Sequence, residues 1–514
     1  MSIKRYVADL DNTIVNAFQP NMSTRGTGSN SGQADIVEVY SVFARQQNSS
    51  SATTGSQELS RVLMRFPVSN ISNDRSNSKI PASGSVSFYL RLYDAKTSKT
   101  VPKNYSLVVQ AISRSWEEGD GLDLENYQDL TRGGSGSNWV MASKNQAWSS
   151  VGGDYHSAPT FKQYFSGGLG DLEVDITPLV EQWIAETKDN YGLGIRLTAS
   201  NEAYFSSSAG TDSGSVIQNP DGAKTSYYTK RFFARGTQYY FKRPVIEARW
   251  DSVTKDDRGS FFFSSSLASS TENLNKLYLY NYVRGRLRNI PAIGTGSIYV
   301  SLYSGSSDNT EPSGSKLVLY DGKTALTGGY SETGIYTCSV AVTKSTSVTL
   351  NTLYDVWHDN SGNEFFTGSI KPYLLRASNQ SREPTYYLSI TNLQNSYMRD
   401  QNARLNLYVR EKNWSPTIYT KAVDSAPNLT IYSASFRVIR TIDGLEAISF
   451  YTGSSDKNAT GLSYDVSGNY FDLDMSLLQP GYEYALKFAF YDDELKSWQE
   501  QNEQFKFRVE DYEH

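Results

Sequence analysis

An all-β chain of three tandem sandwich-like domains is the fold class that the sequence predicts, and three observations predict it. Short runs of alternating polar and apolar residues recur from end to end of the 514 residues. Gly, Ser, Asn, Asp or Pro lie close to most of their ends, as turn chemistry requires. The polar balance leans on Ser, Gly, Asn and Thr more than on Lys and Glu, which favours strands and turns over long helices.

In chain order, the clearest strand runs are Arg61 to Phe66, Ser85 to Tyr93 and Ser106 to Ile112. Ser297 to Tyr303, Ala403 to Val409 and Tyr484 to Phe490 follow. One helix is signalled between Asp175 and Ile184 and is expected from about Pro178 to Ala185. Thr177 is placed to cap it, and Pro178 takes the first helical position, where a missing N–H costs nothing. Leu179, Val180, Trp183 and Ile184 then share one face at three- and four-residue spacing.

The pattern divides into a first domain over residues 1–250, a polar linker over 251–260 and a second β domain over 261–376. A second polar linker over 377–384 and a third β domain over 385–514 complete it. A weak internal repeat relates the openings of the last two domains, Lys276 to Tyr280 and Thr385 to Ile390.

Composition limits function. Hydrophobic residues at 38% and charged residues at 20% describe a globular chain with enough length to bury several cores. Net charge is −5, so nothing draws the chain as a whole to nucleic acid or anionic lipid. The main local exception is Lys230-Arg231 with Arg235, Lys242 and Arg243, which otherwise reads as solvated strand faces. No run approaches the roughly 18 apolar residues of a membrane span. Met1 to Asp9 lacks an apolar core segment, which argues against a secretory signal. The expectation is a chain folded in a cytoplasm that leaves a cell only as part of a particle. The single cysteine, Cys338, excludes an internal disulfide and reads as a small packed residue.

Catalytic chemistry is poorly supplied. Only His156, His358 and His514 are available for a triad or a zinc site, and the first two read as loop residues. Phosphate-loop, dinucleotide and metalloprotease motifs are missing, so no enzyme and no cofactor are expected. Glu117, Glu118, Asp120 and Asp123 crowd one loop but lack the spacing of a calcium loop, so no metal is expected either.

The aromatic content, 13% with 37 Tyr, is the unusual feature. Neighbouring pairs such as Tyr239-Tyr240 and Phe261-Phe262 point to opposite faces of a strand, so not all of them can fill one core. These four are the candidate protein-contact residues, against a plainer reading as strand cores and edges.

Several segments in order carry a resemblance to a known domain. They are Ser60 to Phe66, Trp116-Glu117-Glu118-Gly119-Asp120-Gly121, Asn138-Trp139 with Trp148, Gly152 to Tyr155, Asp175 to Trp183, Asn190-Tyr191-Gly192-Leu193 and Arg243 to Ala248. On these, residues 6–250 resemble a DNRLRE-type β-sandwich, of jelly-roll and carbohydrate-binding-module-like character. Leu478-Gln479-Pro480-Gly481-Tyr482-Glu483-Tyr484 resembles the tyrosine-corner turn of immunoglobulin-like and fibronectin type III sandwiches, with Tyr484 as the corner residue. Through Thr24 to Asn30 and Ser200 to Ser208, the chain also resembles virion structural proteins of marine tailed phages with contractile tails.

Two functions compete. The virion resemblance implies a multi-copy, homo-oligomeric structural component of a neck, collar, tail or baseplate, bound to other virion proteins and located in the virion. The domain resemblance implies an adhesin or fibre part that binds host polysaccharide. In that case Trp116, Trp139 and Trp148 are the candidate sugar-stacking platform, and the competing reading makes them buried anchors of the sandwich.

Overall fold

The computed structural model describes residues 2–19, 21, 23–47, 53–97, 104–122, 136–208, 210–212, 214–305, 312–343, 350–375, 385–412 and 428–511. The expected boundary at Arg376, the linker 377–384, Asp123 and His514 lie outside them. Strands take 46% of the residues and helices 6%, so the chain is all-β. It divides into two units: Ser2–Asp251 with Gly453–Ala459, and Ser252–Thr452 with Thr460–His514.

The amino-terminal unit is a two-sheet sandwich. Its strands are β1 (Ile3–Val7), β2 (Leu10–Val15), β3 (Ile36–Gln47), β4 (Thr53–Arg65), β5 (Val86–Leu92), β6 (Tyr105–Ile112), β7 (Met141–Ser143), β8 (Gln146–Ala147), β9 (Tyr155–Phe165), β10 (Leu172–Asp175), β11 (Leu193–Leu197), β12 (Tyr227–Phe233) and β13 (Val245–Trp250). One sheet runs β1-β13-β5-β10, and the other runs β12-β3-β4-β11-β6-β9 with β2 added beside β4. Alternation explains the core: Val62 and Met64 on β4, Leu107 and Val109 on β6, and Phe88 and Leu90 on β5 all turn into one apolar cluster.

The signalled helix, α2, spans Thr177–Ile184 and buries Leu179, Val180 and Trp183. Its start is built differently from the expectation. The Asp175 carboxylate accepts from the Thr177 amide at 2.9 Å and from its hydroxyl at 2.6 Å. The Thr177 oxygen in turn accepts the amide of Phe88 within β5 at 2.8 Å, so Thr177 is the first residue of the helix and ties it to β5 instead of capping it. A second helix, α1 (Val68–Ser76), escaped the sequence reading. Only Val68 and Ile71 bury apolar side chains there, and the run is otherwise Ser, Asn and charged residues, so no periodic stripe announces it. Arg75 of α1 ties it to Glu181 of α2 through two 2.7 Å contacts.

The outer side of the four-stranded sheet holds an ion network. Glu247 is fully buried and accepts from Arg5 at 2.7 Å, Arg91 at 3.1 Å and Arg249 at 2.8 Å. Arg249, also fully buried, reaches Glu173 and Asp456, each at 2.6 Å, and lies 4.0 Å over the Tyr89 ring. Asp456 belongs to the segment Gly453–Ala459, which was expected inside the third domain and is part of this unit instead.

In the second unit, residues 275–370 form a seven-stranded sheet that turns a corner within one strand. Leu326 to Gly328 pair with Ile298 to Val300, whereas Gly329 and Tyr330 pair with Thr337 and Tyr336. The glycine pair sits at that bend, and a Cβ on Gly328 would lie 2.6 Å from the Thr337 carbonyl. Cys338 is buried in the enclosed core, and burial pushes its thiol up to about 12.

Residues 386–510 build a four-stranded and a six-stranded sheet, packed around Phe436, Phe471 and Phe488. The tyrosine corner is present. The Tyr484 hydroxyl donates to the Gln479 carbonyl at 2.9 Å, and Gly481 adopts φ +87.

The stretch 251–260 is not the loose tether that its polarity suggests. Thr254 donates to Ser463 at 3.0 Å, Lys255 bridges to Tyr464, and the Tyr464 hydroxyl donates to Asp257 at 2.8 Å. Arg258 meanwhile grips Asp355 through contacts of 2.5 and 2.6 Å. The segment therefore clasps the sheet of residues 275–370 to that of residues 463–474.

Candidate functional site

The three candidate sugar-stacking tryptophans are core anchors. Trp116, Trp139 and Trp148 are all buried in one cluster with Ile14, Leu59, Leu63 and Ile112. Each indole N–H is consumed by a carbonyl: Trp116 by Tyr191 at 2.7 Å, Trp139 by Ser215 at 2.7 Å and Trp148 by Asn138 at 2.8 Å. A sugar ring needs an exposed aromatic face, and none of the three offers one. Sequence could not tell a platform from an anchor, because both uses want Trp beside Gly-rich turns.

His358 also departs from expectation. It is not a loop residue but the last position of the strand Leu353–His358, and it is buried. Its Nε2 is 2.9 Å from the Ser301 hydroxyl, and its Nδ1 lies 2.6 Å from the Asp359 carbonyl oxygen. This resembles the first two members of a nucleophilic triad, yet a backbone carbonyl stands where an orienting carboxylate would be. Ser301 is fully buried, so its hydroxyl does not meet substrate. His156 lies at the start of β9 in a polar cleft with Arg114, Asp154 and Arg196. Burial and then the charge of Lys188 hold its pKa below the usual histidine range.

Two carboxylates of the acidic loop are committed to the fold. Glu118 pairs with Arg235 at 2.7 Å and accepts the Asp11 amide at 2.9 Å, while Glu117 accepts the Lys144 amide at 3.3 Å. Among the described residues no group of three or more His, Cys, Asp or Glu is placed to hold a metal. The basic run singled out in the sequence is largely neutralised as well. Lys230 pairs with Asp94, Arg231 with Glu38 and Arg235 with Glu118, and Arg243 donates to the Thr237 carbonyl.

The four candidate contact residues separate. Tyr239 and Tyr240 are exposed. Phe261 is fully buried in the core of the 275–370 sheet and is lost as a contact residue, because β alternation sends it inward. Phe262 points the other way and is half-buried. It forms a two-stranded parallel pair with Tyr373, ring centroids 6.0 Å apart, in a shallow groove completed by Gly259, Ser260, Pro372 and Leu374. Tyr373 and Leu374 stay 42% and 39% exposed.

A second surface lies apart from the four candidate contact residues. Tyr282–Val283 and Arg286–Leu287 pair as a small antiparallel hairpin whose tip is Arg284-Gly285, at φ +52 and φ +75. Two positive φ values in a two-residue loop describe a type I′ turn, a place that favours Asn or Gly over Arg. The detectable signal was Arg at every second position from 284 to 288.

The clasp carries a titratable group. Asp256 is buried, and its carboxyl is pushed up to about 7, first by burial and then, against the pull of Arg258, by Asp355 and Asp257. A carboxyl raised on folding stabilises most below its unfolded pKa, and that stability is lost as pH rises through the folded value. The second unit is therefore expected to lose on the order of 2–4 kcal/mol between pH 3.8 and about 7 from this residue. Asp256→Asn keeps the cap on the Arg258 amide and should flatten that slope. Equal slopes for the two proteins in denaturant titrations across pH would refute the assignment.

Comparison with known proteins adds little to this geometry. No family model and no curated protein matches the chain. Among solved structures it is similar to titin Ig tandem domains, at 11% identity over 41% of this chain and 80% of that one, TM-score 0.14. It is similar to the chicken CNTN1 FN1-FN3 domains at 11% identity over 55% and 82%, TM-score 0.14. The Protocadherin GammaB4 extracellular domain follows at 7% identity over 99% and 64%, TM-score 0.13. With scores of this size, the fold rests on the strands and turns described above.

Proposed function

We propose that the chain is a non-enzymatic, multi-copy structural component of a tailed-phage virion, held to other virion proteins by apolar contact surfaces. The observation that supports this reading is the groove at Phe262, Tyr373 and Leu374. An aromatic and an aliphatic side chain stand exposed there beside a half-buried ring. Such anchors dominate the energy of protein interfaces when a partner covers them. The surrounding contact must be large, since specific interfaces bury more than about 1,000 Å² in total.

The test is a particle count. Tyr373→Asp combined with Leu374→Asp puts two charges into the contact while leaving the core cluster untouched. The number of copies per purified virion is expected to fall about tenfold or more, because a desolvated hot spot is worth 2 kcal/mol or above. Normal copy number with the double variant would reject the groove. Finding no wild-type chain in virions would reject the structural role itself.

A further inference from the structure

We propose that the hairpin over residues 281–288 is a docking finger for an acidic patch on a neighbouring protein of the same assembly. This rests on the structural reading above and names the kind of partner.

The chain carries net charge −5, and most of its well-placed arginines face a carboxylate. Arg258 pairs with Asp355, Arg404 with Asp472, Arg437 with Glu446 and Arg440 with Asp443. Arg284, Arg286 and Arg288 are different. All three are exposed, and among the described residues none of them forms an ion pair. Three like charges within five residues, on a hairpin of two-residue strands, repel one another, and among the described residues no carboxylate pairs with them. The tip places Arg284 itself at φ +52, in a conformation that costs an L-residue with a Cβ free energy.

The faces are ordered. Residues opposite each other in an antiparallel pair lie on one side, so Val283 stands with Arg286, and Tyr282 stands with Leu287. Arg288 donates its amide to Asn281 and continues the Val283–Arg286 side. Tyr282 and Val283 are 58% and 51% exposed. Guanidinium groups beside Val283 on one side, with Tyr282 exposed on the other, match a protein interface, where Arg and Tyr supply the anchors and carboxylates meet Arg in bidentate fashion. Nucleic acid fits less well. Three charges neutralise about three phosphates, and an acidic chain opposes the approach of a polyanion. The partner is therefore a protein surface with clustered Asp or Glu around an apolar depression.

The experiment uses the full chain, a triple variant Arg284→Ser/Arg286→Ser/Arg288→Ser and a charge-keeping triple Arg→Lys variant. Binding to poly-L-glutamate and to a short DNA duplex is read by fluorescence anisotropy at low and physiological salt, and copies per purified virion are counted. Melting temperature checks folding, and Gly285 stays in place so that the turn survives. Wild type and the Lys variant are expected to bind polyglutamate at least about tenfold more tightly than the Ser variant, and more tightly than they bind duplex. The Ser variant should also fall about tenfold in virion copy number. Equal polyglutamate affinity in all three proteins overturns the proposal. So does tighter binding to duplex, or a concentration-dependent dimer that the Ser variant loses. A Ser variant incorporated at wild-type number defeats the finger but leaves the structural role standing. A wild-type chain absent from virions defeats both.

Discussion

Glu247→Ala is expected to unfold the amino-terminal unit under conditions where the wild type is stable. Glu247 is the fully buried anion on which Arg5, Arg91 and Arg249 converge. Arg249 keeps Glu173 and Asp456 as partners and Arg91 keeps a 3.4 Å approach to Glu173, but all three guanidiniums lose the carboxylate on which they converge. Removing one member of a buried ionic cluster typically costs about 3–5 kcal/mol, a large share of the roughly 5–15 kcal/mol that holds a domain together. Burial alone would raise the Glu247 carboxyl, yet the three guanidiniums hold it well below the usual carboxylate range. Its stabilisation is therefore present above its unfolded pKa near 4.5 and lost as pH falls through the depressed value. This is the reverse of Asp256, so acid should loosen the network at Glu247 while it tightens the clasp at Asp256. Denaturant unfolding of wild type and Glu247→Ala at pH 7 and pH 3 measures this. A variant that unfolds at the wild-type midpoint at pH 7 would show that the network contributes nothing net.

Trp139→Ala is expected to cost about 3–5 kcal/mol through the cavity it leaves. The indole is fully buried, its N–H is bound to the Ser215 carbonyl, and the Arg61 guanidinium lies 5.4 Å over the ring. The chain has also adapted to it from the other side. Gly152, at φ +84, is so close that a Cβ there would meet the ring at 2.9 Å. Thermal unfolding of the variant, read beside a glycan array, decides between anchor and platform. A folded Trp139→Ala protein that has lost polysaccharide binding would restore the adhesin reading.

Much of the fold was legible because its signals are local. Alternation fixed the core faces of the strands over 61–66 and 106–112, since side chains in a strand repeat every second residue whatever they pack against. Pro178 with Leu179, Val180 and Trp183 marked α2, because a helix start and an apolar stripe lie within one window. Pro480-Gly481 with Tyr484 marked a corner whose hydrogen bond spans only five residues. α1 was not legible, because its stability comes from Arg75 on Glu181 and from burial of Val68 and Ile71, not from its own pattern.

The contact surface shows the limit most clearly. Phe261 and Phe262 are alike in sequence, and only the pairing of Phe262 with Tyr373 decides which of them faces out. The basic run at 230–243 looked like the more cationic patch, yet its partners Asp94, Glu38 and Glu118 lie more than a hundred residues away in the chain. The arginines at 284, 286 and 288 form no ion pair with any carboxylate among the described residues. Sequence by itself determined the residue types, the strand periodicity, the one strong helix and the tyrosine corner. Tertiary structure alone decided which charges were cancelled, which tryptophans were buried and which polar stretch became a clasp. The reason is that charge pairing and burial depend on distances set by long-range strand pairing, and no local window of sequence contains those distances.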